Sequence, residues 1–159
     1  MDLILPDEAA TQRVGAALAG TLPDIAREHL LVGLSGELGS GKTTLARALL
    51  RALGVGGTVR SPTFTLVEPY DTVRGAVHHL DLYRLEPGVA ALDGIGYRGL
   101  CAQPGLVLVE WPERAGEALG PADLHLTLDL EGTGRRISIV AGSRGGRVWL
   151  EACRSLLEE

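Results

Sequence analysis

Two apolar stretches of this chain are continuous: Leu30-Leu31-Val32-Gly33-Leu34 and Leu106-Val107-Leu108-Val109. Short runs of this kind read as strands buried on both faces, as parallel strands are. Elsewhere apolar and polar positions alternate, which marks strands with one wet face. Leu124 to Leu130 alternates cleanly, Glu131-Gly132-Thr133-Gly134 supplies a tight turn, and Arg136 to Val140 returns as a partner strand. Phe64 to Tyr70 and Ala76 to Leu82 flank a turn at Asp71 to Gly75 and predict a second hairpin. Asp2 to Leu5 is a short strand. Helical spacing predicts helices from Pro6-Asp7-Glu8 to about Leu18, over Leu45 to Leu53, over Glu113 to Leu119, and over Val148 to Glu158. In the first of these, Val14, Ala17 and Leu18 face the core. Gly20 to Glu28 reads as a turn with room for a short helix, Thr58 to Arg60 as a brief extended piece, and Glu86 to Leu100 as short helices with loops. Buried parallel-type strands combined with two hairpins predict a three-layer α/β sandwich on a mixed central sheet.

Between the first buried strand and the second helix stands Gly36-Glu37-Leu38-Gly39-Ser40-Gly41-Lys42-Thr43-Thr44. It fits the phosphate-loop pattern of glycine, four free positions, glycine, lysine and a hydroxyl residue, and it has the strand and helix that give the pattern meaning. Gly36, Gly39 and Gly41 let backbone N–H groups turn toward an anion. The helix that starts there adds unpaired donors and partial positive charge. Residues Gly39, Ser40, Gly41, Lys42, Thr43 and Thr44 are the expected phosphate cradle. Lys42 would reach the β- and γ-phosphates, and the Thr43 hydroxyl would bind the magnesium bridging them. Lys42 is the only lysine in the chain. A compact ammonium fits between phosphate oxygens where a planar guanidinium does not.

Composition narrows the picture. The 159 residues predict one domain spanning 1–159, large enough to bury roughly 70% of its unfolded surface. Apolar residues make up 45% and charged residues 22%, as in soluble globular proteins. No stretch approaches a membrane span or a signal peptide. Cys101 and Cys153 lack metal spacing and read as free thiols of a cytoplasmic protein, with a disulfide as the alternative. A formal charge of −5 argues against a free-standing grip on nucleic acid, so work on RNA would pass through a partner.

A phosphate loop needs acidic partners for the metal, and parallel strand ends present them. Glu110, directly after Leu106 to Val109, stands at a Walker B position; the alternative is a carboxylate capping the Glu113 helix. Asp81 shares a face with His79 and Tyr83 by period two. It would hold a metal-bound water or orient the attacking water, or else pair with Arg84 or another arginine. His78 and His79 point to opposite strand faces, cannot chelate one ion together, and read as structural. Ser61-Pro62-Thr63 follows the phosphate-loop helix, where nucleotide hydrolases carry a γ-phosphate switch; it is also an ordinary turn sequence. Trp111 would pack beside the nucleotide or in the core. Thr11 lies in the first helix, with a solvated or back-bonded hydroxyl as its default.

Four motifs in series carry a resemblance: Gly36 to Thr44, Ser-Pro-Thr-Phe-Thr-Leu-Val-Glu at 61–68, His-Leu-Asp-Leu-Tyr-Arg-Leu at 79–85 and Glu-Trp-Pro-Glu-Arg at 110–114. Their order and spacing resemble the TsaE family of bacterial P-loop ATPases, over nearly the whole chain. Phe64 stands where the family often has tyrosine. The resemblance implies a P-loop NTPase-like fold, ATP and Mg2+ as cofactors, and the TsaB and TsaD proteins as partners. It also implies a role in forming N6-threonylcarbamoyladenosine at position 37 of ANN-decoding tRNAs. Position by position, it implies that Gly39 to Thr44 bind phosphates, that Thr43 and Glu110 hold magnesium, and that Asp81 acts in hydrolysis. Ser61 to Thr63 would switch, Trp111 would lie near the nucleotide, and the helix of Thr11 would border it. A small-molecule kinase is the alternative; it would need an acceptor pocket and an arginine-bearing lid, and Arg84, Arg98 and Arg114 are scattered. A GTPase-like switch fails, because Asn-Lys-x-Asp cannot occur in a chain without asparagine.

Overall fold

A computed structural model describes residues 1–59, 62, 66–86 and 89–159, the side chains of 89 and 90 excepted. The strands are β1 (Asp2–Leu5), β2 (His29–Ser35), β3 (Val67–Thr72), β4 (Gly75–Asp81), β5 (Gly105–Glu110), β6 (Leu124–Glu131) and β7 (Gly134–Ala141). They form one sheet in the order β1-β7-β6-β2-β5-β4-β3. The central strands β6, β2, β5 and β4 run parallel. The antiparallel pairs β6–β7 and β3–β4 are the two predicted hairpins, and β1 adds antiparallel to β7. The helices are α1 (Glu8–Gly20), α2 (Lys42–Ala52), α3 (Val89–Gly94), α4 (Tyr97–Cys101) and α5 (Arg144–Glu158).

Period two sorts the side chains of the central strands into two cores. Leu30, Val32 and Leu34 of β2 and Leu106 and Leu108 of β5 pack with α1, α2 and α5. Leu31, Val107 and Val109 point the other way, toward Leu92 of α3 and Tyr97 of α4. The result is the expected three-layer sandwich. The Asp7 carboxylate starts α1 by accepting from the Ala10 N–H at 2.8 Å. Val14, Ala17 and Leu18 are buried as expected.

Several boundaries differ from the sequence reading; α2, for one, starts at Lys42 rather than Leu45. The first strand of the β3–β4 hairpin is Val67–Thr72, preceded by Leu66 at a left-handed φ of 61°; Phe64 and Thr65 lie outside the described residues. The hairpin turn is only Val73-Arg74, since Thr72 already pairs with Gly75. The stretch after β5 is two 3-10 turns, Pro112–Arg114 and Gly116–Leu119, not one helix. Helix α5 starts four residues earlier than Val148. Its cap is Ser143, whose Oγ accepts from the Gly146 N–H at 2.9 Å. Val59 is buried but lies in no strand; α1 runs on to Gly20, and Thr21 to Glu28 forms no further helix. No helix among the described residues is long and apolar enough to cross a membrane.

Candidate functional site: a phosphate loop facing two acidic strand ends

Strands β2, β4 and β5 end side by side, with Leu34 opposite Glu110 and Glu110 opposite Asp81 in register. Helix α2 covers that edge on the face to which these side chains point. Between β2 and α2 the loop 36–41 turns over itself. At Gly36 an added Cβ would run into the Leu128 carbonyl and the Ser40 hydroxyl. Gly41 takes a φ of 105°, where a side chain would be strained, and caps α2 with no side chain in the way.

The predicted residues converge. Lys42 Nζ donates to the carbonyls of Gly36 at 2.6 Å and Glu37 at 2.9 Å. It also sits 4.3 Å from the centre of the Trp111 ring. Burial pushes the Lys42 ammonium below the usual lysine range, opposed first by Glu110 and then by Glu113, Asp81 and Glu37. The Thr43 hydroxyl donates to Glu110 Oε1 at 2.8 Å. Glu110 therefore faces the loop; the 3-10 turn that follows it has no side-chain cap. Asp81 is buried beside it, and its Oδ1 accepts from the Tyr83 N–H at 3.0 Å. A cleft of about 450 Å³ opens over Gly39, Gly41, Lys42, Thr43, Asp81 and Glu110. A smaller one of about 200 Å³ shares Gly41 and Thr44 with it and is walled by the buried Thr11. Ser40 is buried under the loop. Pro62 is buried; Ser61 and Thr63 lie outside the described residues.

Thr43 and Glu110 offer hard oxygen donors within hydrogen-bond reach of each other. Among the described residues no group of three His, Cys, Asp or Glu side chains forms a cage. One or two protein oxygens completed by phosphates and water is the pattern magnesium takes at nucleotide sites, so the donor set fits that ion.

Against known families, the model of the threonylcarbamoyl adenosine biosynthesis protein TsaE matches residues 5–137. The chain belongs to the TsaE family. Relatives described as tRNA threonylcarbamoyladenosine biosynthesis protein TsaE include one from Haemophilus influenzae, 36% identical over 144 residues and covering 90% of both chains. The one from Aquifex aeolicus is 37% identical over 131 residues, 81% of this chain and 86% of its own. The one from Synechocystis is 42% identical over 116 residues, 72% of this chain and 71% of its own. The crystal structure of Bacillus subtilis YdiB superposes with a TM-score of 0.76 at 22% identity, covering 99% of this chain and 94% of that one, which places the fold.

Two features of this TsaE-family site escaped the sequence. His79 is fully buried, and its Nε2 lies 2.6 Å from Glu110 Oε2. Reading adjacent histidines as a failed chelate missed a single histidine that grips a carboxylate. The second is an aromatic rim. Trp111 holds a left-handed φ of 59°, a strained conformation for a bulky residue and one that clusters at working sites. Its ring meets Tyr83 at 4.9 Å, and Arg114 lies 5.4 Å from the Tyr83 ring. Arg84 lines the cleft, whereas Arg98 pairs with Asp93 at 3.7 Å elsewhere.

Proposed function

We propose that this chain is an ATP hydrolase whose cycle drives turnover of a TsaB–TsaD pair in forming N6-threonylcarbamoyladenosine on tRNA. The observation that supports it best is the convergence of Lys42, Thr43 and Glu110 on the cleft over the glycine-rich loop, at the ends of parallel strands. The names of the relatives support the pathway. ATP phosphates would rest on the amides of Gly39 to Thr44, with Lys42 leaving its carbonyl partners for phosphate oxygens. Thr43 and Glu110 would hold Mg2+, with Asp81 next to them; the ion would offset charge on the phosphate oxygens. Asp81 would orient the attacking water, Trp111 would lie beside the phosphates, and Pro62 with its neighbours Ser61 and Thr63 would form the switch. The nucleoside would lie in the smaller cleft by Thr11 and Thr44, which is continuous with the loop. The net charge of −5 favours contact with tRNA through the partners. Hydrolysis by the isolated chain would be slow, since phosphoryl transfer depends on complete positioning and the partners complete it.

The test is phosphate release from ATP by the purified protein, alone and with TsaB and TsaD. Slow release that the pair accelerates, and that Lys42→Ala abolishes without loss of folding, is expected. Transfer of the γ-phosphate to an added small molecule, with no free phosphate, would instead establish a kinase.

A further inference from the structure

A loop that turns its amides toward an anion must turn its carbonyls away, and each carbonyl then needs its own partner. In loop 36–41 two cations divide this work. Lys42 serves the carbonyls of Gly36 and Glu37. The second cation comes from β7, two strands away from β2 in the sheet. Arg135 Nε donates to the Ser40 carbonyl at 3.0 Å, and its Nη2 donates to the Gly39 carbonyl at 3.1 Å. Its Nη1 donates to the Gly134 carbonyl at 2.9 Å, which fixes the guanidinium to its own strand.

The backbone behind this side chain is held on both sides. Arg135 pairs with Leu5 of β1 and with Leu130 of β6. It is in phase with the buried Ile137 and Ile139, so it points to the helix-covered face of the sheet where the loop lies. Gly134 lets this strand end tuck against β1, because a Cβ there would strike the Leu5 carbonyl. A planar fork on a ladder-paired strand is a rigid brace: two nitrogens held in one plane meet two successive carbonyls, without the rotational freedom of an ammonium on a flexible stem. The division of labour also matters through the cycle. Lys42 must release carbonyls to meet phosphates, whereas the three bonds of Arg135 go to carbonyls and need not break for phosphates to bind, although its side chain also borders the smaller cleft.

We propose that Arg135 is a positioning residue that holds the Gly39-Ser40 half of the phosphate loop in its anion-binding shape, from the β6–β7 hairpin. This rests on the reading that the loop binds ATP phosphates. The test compares wild type, Arg135→Gln and Arg135→Lys as full chains. Backbone 15N order parameters of Gly39, Ser40 and Gly41 are measured without nucleotide, and MgADP affinity is measured by calorimetry. In Arg135→Gln the loop order parameters are expected to fall from about 0.85 toward 0.6. Those of β6, β7 and α5 should stay put, and MgADP should bind roughly tenfold more weakly. Arg135→Lys should fall between the two. Loop order unchanged in both variants would overturn the inference, as would loosening spread through the β6–β7 hairpin, which means a merely structural role. If wild type binds no nucleotide, the hydrolase reading falls, while the order parameters still decide whether Arg135 braces the loop. Should Arg135→Gln fail to fold, Arg135→Lys alone decides.

Discussion

Glu110 is 2% exposed and engaged on both oxygens, with Thr43 on one and His79 on the other. An ionised carboxylate only accepts, so the His79 Nε2 must carry the proton in that bond. Among the described residues its buried Nδ1 has no hydrogen-bond partner, and the ring's polar engagement there is with Glu110. His79→Ala would leave one carboxylate oxygen buried without a donor, at a cost of about 1–3 kcal/mol. At this chain length that lowers Tm by about 2–4 °C per kcal/mol. It should also raise the magnesium concentration needed for half-maximal hydrolysis, because Glu110 loses the contact that aims it. A thermal scan and a magnesium titration check both; an unchanged magnesium midpoint with a lowered Tm would leave His79 a stability role only. Lys42, Thr43, Asp81 and Glu110 were readable because loop spacing and strand ends are local signals. The His79–Glu110 contact joins residues 31 apart in sequence, on strands whose adjacency a single sequence does not state. Arg135 was overlooked for a related reason: an inward-facing arginine has meaning only once the hairpin is known to end beneath the phosphate loop.

Among elements, the approach of α1 to α2 decides where Thr11 stands relative to Gly41 and Thr44. Gly15 permits that approach. A Cβ there would lie 2.6 Å from Ala48 Cβ and 2.9 Å from the Leu49 backbone nitrogen, and backbone cannot step aside. Glycine inside a helix costs roughly 0.5–1 kcal/mol against alanine, and close packing offsets it. Gly15→Val should therefore destabilise by about 2 kcal/mol or more, as overpacking does. Because the strain falls on the helix that walls the smaller cleft, where the nucleoside is proposed to lie, nucleotide affinity should drop with it. Urea unfolding and calorimetry measure the two; a variant as stable as wild type would mean α1 can shift freely. The same physics explains why the start of α5 was misjudged. Gly145 and Gly146 are weak helix formers, yet both lie inside α5, and a Cβ on Gly146 would collide with the Asp123 carbonyl. That glycine answers to a tertiary contact, and Ser143, bonded to Asp123 at 2.6 Å, anchors the helix start there. Patterning located the described strands and the helices α1, α2 and α5 to within a few residues and expected α3 and α4 only as short helices within a broken stretch, but close approaches between elements leave no periodic trace.

On the scale of the molecule, the mixed sheet and its hairpins followed from hydrophobic patterning, whereas the strand order needed crossovers that patterning does not encode. The sheet also settles the cysteines. Both are free; Cys153 of α5 packs in one core and Cys101 of α4 borders the other, with the sheet between them. No disulfide can bridge that distance. Cys153 is fully buried, and burial pushes its thiol up to about 11, opposed by the neighbouring Thr21 hydroxyl. The unfolded thiol titrates near 9.0. Below pH 9 both states are protonated and the full contribution is present. Between pH 9 and 11 the unfolded chain loses its proton first, so stability falls as pH rises, by about 2–3 kcal/mol for this group. Tyr97, whose phenol is raised by burial, adds to the loss at higher pH, so a bare alkaline transition does not isolate Cys153. Cys153→Ala does. Its cavity costs the same at every pH, while the titration is gone, so the stability gap between wild type and variant should narrow by that amount from pH 9 to 11. Urea unfolding across that range measures it. Parallel curves would mean that the thiol meets water in the native state, and α5 would then be a loosely docked helix rather than part of the core.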